Sequence, residues 1–459
     1  MLAMLLAAMF LFSACAGDPV VSDGNGEQTP NDNNTEPGGD ENTDGNGNTN
    51  GGNTNGGNTN EENNPNNGEN TNDPTPTAPG FYLNGVEISK YSIICEYPKE
   101  KTAMAEYWRD EYDSGKTTAI RLATLIEEKF GVKLNSYYDT SRQPGQYEIL
   151  VGNTNRNESK TAAIKTLSDD QYVVELNNDK LVICGGAAGT TYHAVDSIEE
   201  YFNTTVENGI YNLDTDTDLS GSYHLQRIAI LGDSISVGAL ATDYTTNKGM
   251  RGYAAQTGRM YWQECVVKSY AQAGICLRDD LSGFATSALW TNFRAEMKRN
   301  KFDTVLILLG ANDGYTDAKT GSTGEGVWTD EDDKSFYKSL EKRIQTIHMD
   351  NKQAEVVVMN CVVYYRSADP SSPDYRDSHY HSSPRVIALQ GQVVTDLRAK
   401  GADYVHLYDM NTYSTEHTTK AMFSDLLHPD DQGHEIIAKG VVAMLKLLRE
   451  GKTDKYLIN

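Results

Sequence analysis

The chain has 459 residues, enough for two or three domains with cores of their own. Its formal charge is −25, and residues 16–80 hold 12 of the acidic side chains while no Lys or Arg precedes Lys90. Such an acidic balance argues against nucleic acid, anionic lipid or a polyanion as the main partner.

Residues 1–15, MLAMLLAAMFLFSAC, form an apolar run too short for a spanning helix, and it ends in small residues and a cysteine. The run resembles a bacterial lipoprotein signal with Phe12-Ser13-Ala14-Cys15 as its lipobox. That resemblance implies export and attachment to a membrane through a lipid on Cys15 alone, at the cell surface; an ordinary secretory signal is the other reading. From Ala16 to Gly80 the composition is Asn, Thr, Gly, Glu, Asp and Pro with GGNTN repeats. It cannot bury enough apolar surface to offset its ordering entropy, so a disordered tether spanning roughly 45 Å is expected.

Residues 81–225 read as a smaller α+β domain. A strand, YSIICEY, precedes a helix over 102–130, in which Ala119, Leu122, Ala123, Leu125, Ile126 and Phe130 keep a 3.6-residue period. YEILVG (147–152) is a strand, and DQYVVELNND with KLVICGG makes a hairpin through Asn177-Asn178-Asp179. A helix over 190–202 closes the unit, with His193 expected to be packed or capped within it. YEILVGNTNR, the hairpin and GTTYHAVDSIEEYF resemble the accessory domain that precedes the catalytic barrel of β-hexosaminidases and α-glucuronidases. No catalytic residue carries over from that resemblance.

Residues 226–450 alternate strand and helix. The strands are RIAILG, ECVVKSYAQAG, FDTVLILLGAND, AEVVVMNCVVYY and ADYVHLYDM; the helices cover 285–299, 334–349, 384–400 and 432–449. Near-continuous apolar strands alternating with helices predict an α/β fold whose parallel sheet is covered on both faces, with sites at the carboxyl ends of the strands.

The first of these strands, in LQRIAILGDSISVGA (225–239), stops at Gly232 and delivers Ser234 to a helix start. Free N–H groups in that first turn face the place where an oxyanion would form. Gly274 follows the second strand, Gly310-Ala311-Asn312-Asp313 the third, and SDLLHPDDQGH sets Asp425 and His428 before the last helix. A hydroxyl, an imidazole and a carboxylate are the residue types that nucleophilic acyl transfer needs. Asp425 lies three residues before His428, so one loop can carry both.

These four blocks resemble the SGNH (GDSL-type) hydrolase family over residues 226–450. The resemblance implies a flavodoxin-like three-layer α/β/α domain, with Ser234 as nucleophile, His428 as base and Asp425 orienting it. The oxyanion donors would be the N–H of Ser234, the N–H of Gly274 and the side-chain amide of Asn312, and no cofactor is implied. Together with export, the expected activity is deacetylation of O-acetylated carbohydrate through an acyl-enzyme. A lipase, phospholipase or thioesterase of the same family is an alternative, as is a decayed glycan-binding lipoprotein. No protein partner is implied.

Beyond Cys15 there are Cys95, Cys184, Cys265, Cys276 and Cys361, in or beside apolar runs and without CxxC spacing. Buried free thiols are expected, with at most one bridge, such as Cys265 to Cys276. Two loops should shape specificity: 314–333, with Tyr315 and Trp328, and 364–385, with Tyr364, Tyr365, Arg366, Tyr375, His379 and His381. The His-x-His pair has no third ligand in view, so no metal site is assigned.

Overall fold

A computed structural model describes residues 76–98, 113–241, 251–281, 286–300, 302–313, 328–362, 371 and 383–458. The signal run with Cys15, the tether up to residue 75, and Tyr315, Tyr364, Tyr365, Arg366, Tyr375, His379 and His381 lie outside them.

The smaller part contains β1 (Gly80–Leu83), β2 (Val86–Glu87), β3 (Ser92–Cys95), α1 (Ser114–Phe130), β4 (Ser136–Tyr138), β5 (Glu148–Val151) and α2 (Ala162–Lys165). It continues through β6 (Gln171–Asn177), β7 (Lys180–Gly185), α3 (Ala188–Phe202), β8 (Ile210–Leu213) and β9 (Gly221–Ser222). Two sheets result, of order β4-β3-β5-β7-β6-β9 and β2-β1-β8. Ala119, Leu122 and Ile126 of α1 meet Ala194, Val195, Ile198 and Phe202 of α3 over Ile93, Ile149 and Ile183 of the larger sheet. The hairpin β6–β7 turns on Asn178 and Asp179, both left-handed at φ 50° and 62°, which is the two-residue turn that suits strand twist.

The helix expected over 102–130 is shorter. Asp113 is extended (φ −80°, ψ 93°) and accepts from the Lys116 N–H, so the helix is capped and starts at Ser114. Residues 99–112 lie outside the described residues.

The larger part runs β10 (Gln226–Gly232), α4 (Ser234–Val237), α5 (Tyr253–Met260), β11 (Cys265–Ala271), α6 (Ala288–Asn300), β12 (Thr304–Leu308) and α7 (Asp330–Asp350). Then follow β13 (Glu355–Met359), α8 (Ser383–Ala399), β14 (Val405–Tyr408), α9 (Met410–His417), α10 (Asp431–Arg449) and β15 (Leu457–Ile458). The sheet has the order β11-β10-β12-β13-β14-β15, parallel except for the two-residue β15. Ala229, Leu231, Val305, Ile307, Val356 and Val358 face a core shared with α6, α7 and α8. Their neighbours Ile228, Ile230, Leu306, Leu308, Val357 and Met359 face a second core with α5 and α10. Burial on both faces is why these strands read as unbroken apolar runs. The result is a three-layer α/β/α fold preceded by a smaller α+β part. All five described cysteines are buried thiols outside any disulfide, so Cys265 and Cys276 do not pair.

The two parts meet within one compact unit, Asn70–Asn459. A Cβ built on Gly189 of α3 would lie 2.6 Å from Leu225, 2.7 Å from the Trp262 carbonyl and 2.9 Å from that of Gln263. Beside it, the His193 ring stacks on Tyr223 at 3.4 Å, with Nδ1 on Asp196 at 2.7 Å and Nε2 on the Gln263 carbonyl at 3.1 Å. This is the packed histidine expected from the sequence. Because two of the obstacles at Gly189 are backbone carbonyls, Gly189→Ala should cost about 1–3 kcal/mol. Urea unfolding followed by circular dichroism and by tryptophan emission should show the loss in one shared transition; unchanged stability would mean that the seam gives way freely.

Candidate active site

Strand order places β10 between β11 and β12, so the chain leaves β10 towards one neighbour and later returns on its other side. The crevice at such a reversal, above the carboxyl ends of the strands, is the usual place for a site in an open α/β sheet. Ser234 stands there, in the first turn of α4. The turn is tight: a Cβ on Gly232 would come within 1.9 Å of Ser236 Oγ, so only glycine fits. Asp233 caps the helix by accepting from the Ile235 N–H at 3.1 Å.

His428 Nε2 lies 2.8 Å from Ser234 Oγ, and its Nδ1 lies 2.7 Å from Asp425 Oδ2. Asp425 Oδ1 also accepts from the N–H groups of Leu427 at 2.9 Å and His428 at 2.7 Å. Burial raises the Asp425 carboxyl, but the His428 ring and these two N–H groups outweigh burial and hold it at about 2. A carboxylate on Nδ1 fixes that nitrogen as the donor, which leaves Nε2 as an acceptor facing the Ser234 hydroxyl. The loop achieves this by putting Leu426 in the left-handed region, φ 66°.

Gly274 is also left-handed, φ 76°, with nothing within 4 Å of its Cβ direction. Asn312 donates its side-chain amide to the Ile275 carbonyl at 3.1 Å, so the segments carrying Gly274 and Asn312 are in contact. Trp328, expected to help shape specificity, is engaged at the base of its loop. Its indole N–H donates to Asp333 at 2.5 Å, and the ring packs near Phe336 and the Arg278 guanidinium.

Three further buried titratable residues lie about the site, and the sequence gives Asp313 and His434 among them no role. Asp233 and Asp313 are each about 1 % exposed. Burial drives Asp233 up to about 6, with the charge of Asp313 adding to it, and drives Asp313 to about 6 as well. His434 is fully buried under the site, with Nε2 on the Ala239 carbonyl at 3.2 Å and Nδ1 accepting from the Tyr253 N–H at 3.3 Å. Burial lowers it to about 4, which keeps it neutral beside His428. Only the spacing HPDDQGH could have pointed to it.

Residues 230–436 match the model of the GDSL-like Lipase/Acylhydrolase family. The larger part has a GDSL-type hydrolase fold. The protein is accordingly an enzyme of the serine-hydrolase type, with an esterase or related hydrolase activity. Among solved structures it is similar to a family two carbohydrate esterase from Clostridium thermocellum in complex with cellohexaose, at 15% identity, with 50% of this chain and 67% of that one covered and a TM-score of 0.36. It is similar to the lipase/acylhydrolase from Enterococcus faecalis at 18% identity, covering 48% of this chain and 96% of that one, TM-score 0.34. An alpha/beta hydrolase enzyme from the metagenome of Lake Arreo, Spain, gives 18% identity, 49% and 96% coverage and a TM-score of 0.35. No curated protein matches the chain. Among the described residues of this hydrolase no helix is long and apolar enough to cross a membrane, and no group of three or more His, Cys, Asp or Glu is placed to hold a metal ion.

The two raised carboxyls give a pH dependence with a definite sign. A folded-state value above the unfolded one means a contribution fully present below about pH 4 that is lost as pH rises through about 6. Asp233→Asn removes one such titration, so between pH 4 and 7.5 its stability relative to the parent should rise by on the order of 2 kcal/mol. Urea midpoints at the two pH values measure this; a difference that does not change with pH would mean that Asp233 is not charged against burial.

Proposed function

We propose that the protein removes small acyl groups, acetyl above all, from O-acylated carbohydrate through an acyl-enzyme on Ser234, while anchored outside the cell by a lipid on Cys15. The observation that carries the hydrolytic part is the unbroken relay from Asp425 through His428 to Ser234, at 2.7 and 2.8 Å.

Ser234 Oγ attacks the ester carbonyl as its proton passes to His428 Nε2, and the carbonyl π pair moves onto oxygen. That oxyanion is received by the N–H of Ser234, the N–H of Gly274 and the side-chain amide of Asn312. Collapse breaks the C–O bond, His428 returns the proton to the departing sugar hydroxyl, and the acyl group stays on Ser234. Water then gives a proton to His428 and attacks; the second collapse frees the acid and restores the serine. Asp425 holds the tautomer and faces the imidazolium.

Three features of the chain support a carbohydrate substrate: the export signal with its tether, the resemblance of residues 81–225 to glycosidase accessory domains, and the make-up of loops 314–333 and 364–385. Those loops are rich in Ser, Thr, Asp, Gly, Tyr and His and poor in Leu, Ile and Phe. A polar rim dotted with aromatics suits a sugar and a short acyl group, whereas burying it against a long acyl chain would leave polar groups without partners.

Ser234→Ala and His428→Ala should each abolish nearly all turnover of p-nitrophenyl acetate, and Asp425→Asn should cost less than either. Retained activity in Ser234→Ala would end the assignment. Asn312→Ala is expected to lower kcat by about 10²–10³ with little change in KM; a pure KM effect would place Asn312 in ground-state binding. Along a series of esters, kcat/KM should fall steeply from acetyl to octanoyl, and acetate should be released from acetylated xylan, pectin or a peptidoglycan-type glycan. Equal rates on octanoyl esters or phospholipids, with no acetate from any glycan, would move the enzyme to lipid substrates.

A further inference from the structure

The two expected oxyanion donors outside the nucleophile turn sit on strands that do not touch. Gly274 follows β11 and Asn312 follows β12, and β10 lies between those strands. Strands two positions apart are separated by about 9–10 Å, and no ladder hydrogen bond fixes one loop against the other. Their spacing must be set above the sheet, across the end of β10, where Ser234 stands.

Asp313 makes that crossing. Its carboxylate is buried, with Oδ2 accepting from the Leu277 N–H at 2.8 Å and Oδ1 from the Arg278 N–H at 2.7 Å. Two smaller ties run alongside: the Asn312 amide on the Ile275 carbonyl at 3.1 Å, and the Cys276 thiol 3.5 Å from the Asn312 carbonyl. The far end of the β11 loop is fastened to α7. The Arg278 guanidinium pairs with Asp280 at 2.5 Å and Asp332 at 2.7 Å, and the Asp279 N–H donates to Ser339 Oγ at 3.0 Å. With its outer end held, the loop has its inner end set by the carboxylate next in sequence to Asn312.

Resting on the assignment of Gly274 and Asn312 as oxyanion donors, we infer that Asp313 is the positioning residue of the oxyanion hole, holding the β11 and β12 loops at the separation at which both donors face one point. The demand is for a carboxylate. Two successive backbone N–H groups need two acceptor atoms, and an asparagine would turn one of them into a donor facing a donor. A neutral side chain therefore lets the loops part by a fraction of an ångström, which is felt where charge develops in the transition state and not where the ester first binds.

The test compares Asp313→Asn and Asp313→Ser with Asn312→Ala and the double variants, with rates expressed per active site titrated to completion by a fluorophosphonate, and with Ser234→Ala, which has no serine to titrate and is expressed per mole of folded protein. Asp313→Asn should lower kcat per titrated site by about 30- to 100-fold with KM within about threefold, and Asp313→Ser should behave alike. In the Asn312→Ala background the Asp313→Asn loss should shrink to a few-fold, because a spacing that serves an absent donor has less left to serve. If Ser234→Ala keeps its turnover, the whole site assignment fails and this inference with it. If Ser234→Ala is inactive but Asp313→Asn keeps the parent kcat per titrated site, only the inference fails. Full losses that multiply in the double variant overturn it, as does failure of both Asp313 variants to fold, since Asp313 is then a folding residue.

Discussion

One imidazole fastens together chain segments 194 residues apart. His428 can face Ser234 on one edge and Asp425 on the other only if β10 ends where it does and the loop before α10 closes tightly. The first condition is met by burying β10 inside the sheet, between β11 and β12. The second is met at the cost of a leucine in the left-handed region, which the backbone disfavours by about 1–3 kcal/mol. Leu426 stays there because its side chain is buried and because Asp425 collects two backbone N–H groups and the ring at once.

Beneath that relay the protein keeps groups that burial works against. Asp233 and Asp313 are carboxyls enclosed by protein, and His434 is an imidazole held neutral in the interior. Each is fixed by backbone partners rather than by solvent, so none is free to take up the positions that the reacting groups require. The site is thereby surrounded by polar atoms with assigned places, a form of preorganisation that costs fold stability at neutral pH.

Much of this was legible in the sequence, and the reasons are physical. Strands buried on both faces leave an apolar run such as TVLIL, and residues that must follow such a strand stand out against it. Ser234, Asn312 and the Asp425–His428 pair could be named because their neighbours fix a strand end or a local turn. Helix α5 could not: it is only eight residues long, and its buried face carries Gln256, Thr257 bonded to its own helix and Tyr253 bonded to Ser236 Oγ where an apolar stripe would be read. Asp313 reads as an ordinary turn acid after Asn312, because its partners are amides 36 and 35 residues away that carry no side-chain signature. The anchoring of Trp328 was out of reach for a similar reason, because its indole partner, Asp333, lies on the helix that follows and nothing in the loop's own sequence marks the pairing.

The hydrolase sheet ends in two unlike borders. On one side β15 contributes only Leu457 and Ile458, running against its neighbour; on the other, among the described residues, β11 presents the exposed Lys268 near its middle. A full-length, flat and apolar border would offer its open amides to the same border on another copy, and chains would join strand to strand. A strand too short to template a partner and a charge that would have to be desolvated both oppose that joining. The catalytic layer can thus be crowded at high local density without its sheets fusing into longer ones.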